Sequence, residues 1–331
     1  MTSPSSNSLG EFALIAELFA PLSKAAPGAF NLTDDAAAFT PPPGHDLILT
    51  ADGLVEGVHF LSDDPPDAIA KKALRVNLSD LAAKGAVPVG YLLTLAVPLR
   101  CDVVWLREFA KGLGEDQAQF AIALFGGDTT RTPGPLTISI QAFGLVPTGK
   151  MIRRAGAQPG DLVFVTGTIG DSGGGLALLR GETAKLSDED RNTLIARYRV
   201  PQPRVTFGPS LMGLASASID VSDGLLADLG HIADVSGVHI AVDAANIPRS
   251  AALRSLWGET NDAIARAASA GDDYEIAFTA PAAARDTIMA AAMKAGVPVT
   301  AIGAVEAGQG VTLLDSAGHE IAVARSGYTH F

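Results

Sequence analysis

Apolar and polar positions along the chain predict short elements of both kinds. Alternating or continuous apolar runs predict strands at Leu47–Val55, Val89–Val97, Phe120–Phe125 and Leu136–Val146. Between them, Ile69, Ala73 and Val76 recur at helical spacing, in a helix predicted over Asp67–Lys84 and closed by Gly85. Another helix is predicted over Val103–Asp116. Ahead of these, Ser8 and Glu11 form a capping box before Phe12, Ile15 and Phe19, which predicts an opening helix.

The pattern breaks at Pro147–Asp161 (PTGKMIRRAGAQPGD), a stretch of proline, glycine and basic residues suited to a linker. Beyond it, strands are predicted at Leu162–Thr166, Val238–Asp243, Tyr274–Thr279 and Val299–Val305. Helices are predicted at Gly173–Arg180, Ser187–Tyr198, Val205–Ala217 and Ser222–Val235, with Ser187 and Asp190 as a second capping box. Both kinds of element in each half predict an α/β (α+β) chain of two domains, 1–150 and 151–331. The length of 331 residues agrees with that division.

Composition narrows the function. The net charge is −12, which disfavours nucleic acid and anionic membranes as partners. Carboxylates can still bind phosphate through metal ions. The single Cys101 cannot form an internal disulfide, as suits a reducing cytoplasm. The longest apolar run, Gly90–Leu99, is too short to span a bilayer, and MTSPSSNS has neither the basic nor the apolar region of a signal peptide. A cytoplasmic protein is the expectation.

Several motifs fail on inspection. Gly144 to Gly149-Lys150 has P-loop spacing, but Met151 stands where a hydroxyl must hold magnesium. Gly167-x-x-Gly170 with Gly173-Gly174-Gly175 enters a helix without the dinucleotide spacing and reads as a tight strand-to-helix turn. No histidine or cysteine pattern suggests zinc.

Aspartates carry the distinctive signal. They stand in Asp34-Asp35-Ala36, Thr50-Ala51-Asp52-Gly53, Asn77-Leu78-Ser79-Asp80, Gly126-Gly127-Asp128-Thr129-Thr130 and Asp220-Val221-Ser222-Asp223-Gly224. Asp52, Asp128 and Asp220 are expected at strand ends, where α/β sheets gather ligands. Asn77 and Asp80 share one face of a predicted helix, amid Leu78, Leu81 and Ala82, which should pack inward. Lys84 is the basic residue one turn beyond Asp80 that could pair with it. Each aspartate alone suits a cap or a turn. Together, hard oxygen donors without thiols suggest a multi-magnesium phosphate site.

In this order the motifs resemble the thiamine-phosphate kinase family, within the aminoimidazole ribonucleotide synthetase-like superfamily. The likeness also takes in Gly57-Val58-His59-Phe60, Thr166-Gly167-Thr168-x-Gly170-Asp171-Ser172, Asp273-Tyr274-Glu275 and His330-Phe331. It implies a two-domain fold that dimerises through its N-terminal sheets. It also implies ATP-dependent phosphorylation of thiamine phosphate to thiamine diphosphate, the final step of that biosynthesis, with ADP released and magnesium required. By matching positions, Asp35, Thr50, Asp52, Asp80, Asp128, Asp220 and Asp223 would bind metal. Gly127, Asp128, Arg154 and Ser222 would lie at ATP, and His59 and Asp272 at the thiamine substrate.

Three positions depart from the family pattern. Ala51 replaces a hydroxyl residue, so its metal contact would come from the carbonyl. Asp272 is a shorter acid than the usual glutamate. Arg325, with Tyr328 nearby, stands where a stacking aromatic is expected. No activated nucleophile is evident, and none is needed, because the acceptor phosphate oxygen is already ionised. Two alternatives stay open: another ATP-dependent synthetase of the superfamily, or a non-catalytic dimeric nucleotide sensor.

Overall fold

The computed structural model describes residues 10–328; Ser8 of the first capping box and the closing His330-Phe331 lie outside them. Contacts divide the chain into two units, one running to Leu81 and including Val87–Thr148, the other comprising Ala82–Ala86 and the chain from Gly149.

The first unit begins with a four-residue helix α1 (Glu11–Leu14), which passes into a π-helical turn (Ile15–Phe19) and a 3-10 turn (Ala20–Ser23) containing Pro21. The capping motif thus leads into a broken helix, and Phe12 is exposed while Leu14, Leu18 and Phe19 are buried. The sheet joins β1 (His45–Val55), β2 (Val87–Pro98), β3 (Ala123–Thr132) and β4 (Thr137–Pro147) in the order β1-β4-β2-β3. Only β2 and β3 pair in parallel, connected through helix α3 (Val103–Phe120). Helix α2 (Pro66–Ala83) precedes β2.

Strict alternation gives this sheet two faces. Ile138, Ile140 and Ala142 of β4 point with Tyr91, Leu93 and Leu95 of β2 to a face where all six are buried. Helices α2 and α3 meet that face: Thr50 of β1 bonds Asp80 of α2, and Gln117 of α3 donates to the Tyr91 hydroxyl at 3.0 Å. The helices are tied to each other by a buried Arg75–Asp116 pair at 2.8 and 2.7 Å. The opposite face leaves Leu47, Leu49, Val87 and Leu92 exposed.

Two predicted strand boundaries were placed wrongly. Helix α3 runs on to Phe120, and left-handed Ala121 ends it, so the strand predicted over Phe120–Phe125 starts at Ala123 instead. It then continues through Gly126-Gly127 to Thr132. Strand β1 runs through Asp52 and Gly53 to Val55, its predicted end, so neither Asp52 nor Asp128 stands at the strand end expected of it.

The second unit is built on a six-stranded sheet. Its strands are β5 (Asp161–Thr166), β6 (Ala217–Asp220), β7 (His239–Asp243), β8 (Ile276–Pro281), β9 (Val299–Glu306) and β10 (Gly310–Leu314), in the order β10-β7-β9-β5-β8-β6. Helices α4 (Asp171–Leu179), α5 (Asp188–Arg199), α6 (Leu225–Ser236), α7 (Ala251–Trp257), α8 (Asn261–Ala268) and α9 (Arg285–Ala295) complete it. Neighbouring residues on β5 feed opposite cores. Val163 and Val165 pack with Leu225, Leu229 and Ile232 of α6, whereas Phe164 stacks on Phe278 at 5.1 Å and packs with Ile288 of α9. Ser187 caps α5 through the Asp190 N–H at 3.0 Å, as its motif predicts.

The predicted helix over Val205–Ala217 does not form. In its place are one 3-10 turn (Gly208–Leu211) and the start of β6. Pro209 interrupts the span, and Gly208 lies so close to the Ala82 carbonyl that a Cβ would sit 2.1 Å from its oxygen.

Candidate active site

In the first unit, the alternation of β1 points Thr50 and Asp52 to the helix-covered face and Ala51 to the other, where it is exposed. The Ala51 methyl therefore faces away from both neighbours, and only its backbone carbonyl could serve as a ligand. The Thr50 hydroxyl donates to Asp80 Oδ2. Asp80 itself is half-buried between fully buried Leu78, Leu81 and Ala82, as its place on the helix predicts. Burial first, and then the charge of Asp80, push Asp52 up to about 7. One turn before Asp80, fully buried Asn77 donates Nδ2–H to the Ala73 carbonyl at 3.0 Å. Its Oδ1 has no partner among the described residues. Lys84, considered above as a partner of Asp80, donates to the Ser218 carbonyl at 2.7 Å.

Asp128 is not brought to this group. Asp52 aligns with Ile140, Leu93 and Gly127 across the sheet, and Asp128 aligns with Thr94 and Ser139 in the next row. It therefore lies on the opposite edge strand, about 14 Å away at roughly 4.8 Å per strand, and points to the opposite face. Gly127 beside it lets β3 approach β2: a Cβ there would sit 1.8 Å from the Leu93 oxygen. Asp35 lies in the exposed loop before β1 and donates its N–H to Asp34 Oδ1 at 2.8 Å. His59 is half-buried in the turn after β1, where its Nδ1 accepts from the Val55 N–H at 3.0 Å. In the neutral imidazole the proton is thus on Nε2.

In the second unit the loop after β6 is the organising feature. Asp220, at the end of β6, is buried. Asp228, in the first turn of α6, receives three backbone N–H groups on one oxygen: Ser222 at 3.0 Å, Asp223 at 3.1 Å and Gly224 at 3.2 Å. Burial first, then the charge of Asp223, raise Asp228 to about 7 against those donors. Asp223, Asp228 and His231 offer ligand atoms within 4.8 Å of one another. Sequence reasoning missed Asp228 and His231. The available signal was their three-residue spacing on the helix that follows Asp223.

Other predicted residues gather at this loop. The Asp272 N–H donates to the Ser222 carbonyl and the Tyr274 N–H to that of Val221, both at 2.8 Å. The Tyr328 N–H reaches the Asp223 carbonyl at 2.9 Å, and the Arg325 guanidinium stands 5.7 Å from the Tyr328 ring centre. Arg154 is exposed on the segment beside β6, where the carbonyl of Arg153 accepts from the Ser218 N–H at 2.9 Å.

Behind the loop, Asp273 is fully buried and accepts from the Gly170 and Ser172 N–H groups at the start of α4, at 2.6 and 3.3 Å. Burial holds it well above the usual carboxylate range, chiefly against those donors and the Arg197 charge. This fits the reading of Gly167–Gly170 as a tight turn. The P-loop spacing falls at the end of β4, where no helix follows.

The chain matches a described family in both of its units. Models of the AIR synthase related protein match residues 33–146 (N-terminal domain) and 158–316 (C-terminal domain), so the chain belongs to that family. It is 43% identical to the thiamine-monophosphate kinase of Caulobacter vibrioides over 97% of this chain and 90% of that protein. The crystal structure of thiamine-monophosphate kinase from Stenotrophomonas maltophilia superposes with a TM-score of 0.81 at 43% identity, covering 89% of this chain and 96% of that one. A structure described as AaThiL complexed with AMPPCP and TMP matches at TM-score 0.76 and 32% identity, covering 99% and 100% of the two chains. Within its family, the chain belongs with the thiamine-monophosphate kinases.

Proposed function

We propose that the protein transfers the γ-phosphoryl group of ATP to thiamine phosphate, giving thiamine diphosphate and ADP. The observation that carries this reading is the Thr50–Asp52–Asp80 group, in a chain whose relatives are thiamine-monophosphate kinases. Crowded carboxylates, one of them raised to about 7, together with a hydroxyl form an all-oxygen donor set for a hard cation. Buried Asn77 Oδ1, unpartnered among the described residues and on the same helix face as Asp80, adds to that fit. Asp35, Thr50, the Ala51 carbonyl, Asp52, Asp80 and Asp128 would hold magnesium in the first unit, and Asp220 and Asp223 in the second. When bound, magnesium neutralises phosphate charge and draws ATP and the acceptor into line.

Gly127 and Asp128 in the first unit, and Arg154 and Ser222 in the second, bind ATP. His59, Asp272, Arg325 and Tyr328 bind thiamine phosphate. An ionised oxygen of the acceptor forms the new P–O bond as the bond to the β-phosphate oxygen breaks. The electron pair leaves with ADP, and no residue has to be phosphorylated. We assign the ATP- and metal-binding and dimerisation domain to residues 1–150, the C-terminal α/β domain, which adds Arg154, Asp220, Ser222 and Asp223, to residues 151–331, and the enzyme to the cytoplasm.

We also propose a homodimer joined through the exposed apolar sheet face of Leu47, Leu49, Val87 and Leu92. Asp128 points to that same face, away from Asp52 and Asp80, which supports its serving the site of a second copy. Release of ADP on mixing ATP, magnesium and thiamine phosphate tests the function. Excess chelator should abolish turnover and magnesium restore it; full activity in chelator refutes the metal assignment.

A further inference from the structure

Two residues without the freedom of glycine stand in the left-handed backbone region at one edge of the second unit's loop. They are Asp272, at φ +67°, and Tyr274, at φ +52°. Aspartate tolerates that region; a bulky tyrosine rarely occupies it. The fold over-determines both, through the two bonds to the loop after β6 and through the residues that alternate with them. Asp273 is locked to the start of α4, as described above. Glu275, fully buried, accepts from the Thr166 hydroxyl at 2.6 Å, from Arg197 at 2.8 Å and from Arg204 Nε at 2.5 Å.

These anchors hold Asp273 and Glu275 inward and leave Asp272 and Tyr274 half-buried. The Tyr274 hydroxyl donates to Asp272 Oδ1 at 3.1 Å. Left-handed backbone of this kind, imposed by its surroundings, is characteristic of ligand clamps. Anchoring the segment needs the backbone and the two buried acids. It does not need a phenol over Asp272. The phenol's effect falls on the carboxylate, whose oxygen it commits and whose plane it orients.

We infer that Tyr274 is a positioning residue for thiamine phosphate, whose hydroxyl aims the Asp272 carboxylate at the substrate's heterocycles, a cationic thiazolium and a pyrimidine that bears an amino group. This rests on the assignment of Asp272 to the thiamine substrate. Aspartate is short, so its reach is set by the backbone, and the hydroxyl determines the direction in which it is offered.

Tyr274→Phe removes the hydroxyl and keeps the ring. We expect kcat/KM for thiamine phosphate to fall about tenfold, equivalent to about 1.4 kcal/mol, mainly through KM. KM for ATP should stay within twofold and the melting temperature should hold. In an Asp272→Asn background the same change should add little further loss, because the carboxylate it orients is gone. The inference is overturned if Tyr274→Phe matches the parent toward thiamine phosphate while Asp272→Asn is impaired. It is equally overturned if the loss persists undiminished in the Asp272→Asn background, or if the variant melts several degrees lower and its folded fraction behaves as the parent does. Should Asp272→Asn alone leave KM for thiamine phosphate unchanged, the assignment of Asp272 fails, and the inference with it.

Discussion

Asp80→Asn separates a metal ligand from a structural acid, because the two roles move stability and turnover in opposite senses. The substitution keeps the shape, and an amide oxygen can still accept the Thr50 hydroxyl. It removes the charge that, after burial, raises Asp52. The rise from 3.8 to about 7 is worth about 4 kcal/mol at roughly 1.4 kcal/mol per unit. Burial is the larger cause, so Asp80 accounts for less than half, at most about 2 kcal/mol before solvent screening. Above pH 7 the ligand-free variant should therefore melt at the parent temperature or a few degrees higher. On the proposed metal assignment turnover should fall by roughly a hundredfold or more, because a charged ligand to the cation would be lost. Both quantities are read on one preparation, by thermal melting without ligand and by ADP release under saturating substrates. A variant that melts much earlier, yet turns over normally per folded molecule, would show that Asp80 is structural.

Two further outcomes follow from the same geometry. Asp80→Asn and Asp128→Asn chains, each inactive alone, should recover activity when co-folded, because mixed dimers of the proposed kind would hold one site with both aspartates; no recovery means that the two act within one chain. The ligand-free protein should lose stability as pH rises from about 4 to 7 through Asp52 and Asp228, both near 7 when folded. The unfolded chain releases these protons near 3.8, so in that window the native state binds more protons and rising pH favours unfolding. Melting followed from pH 5.5 to 8, with and without magnesium, checks this. Magnesium should remove most of the decline at the upper end, and a melting temperature that rises with pH in its absence contradicts it.

Much of the architecture was legible because each half buries one face of its elements. The apolar spacing in α2 and the alternation in β4 are direct consequences, and the aspartate motifs stood out as carboxylates inside apolar surroundings. What misled was polarity inside strands. Asp52-Gly53 and Gly126-Gly127-Asp128 look like strand ends, yet β1 and β3 continue through them. Both are edge strands, where glycine and charge are tolerated. The partners of Glu275 could not be read at all: Arg197, Arg204 and Thr166 arrive from separate elements. Asp228 looked like any polar residue of a helix, because its three donors are backbone groups that carry no residue identity.

The tail crossing at Tyr328 has an evolutionary consequence. It is fastened to Asp223 by main-chain atoms, a bond that every residue except proline can make. Side chains at 325 and 328 can therefore be exchanged without undoing the fastening. Gly327 between them lacks that freedom: a Cβ there would meet the Asp223 oxygen at 2.6 Å and the Ala227 Cβ at 2.5 Å. Variation in this tail should accordingly fall on the flanking residues, so that the choice of ligand can drift while the acidic loop beneath it stays in place.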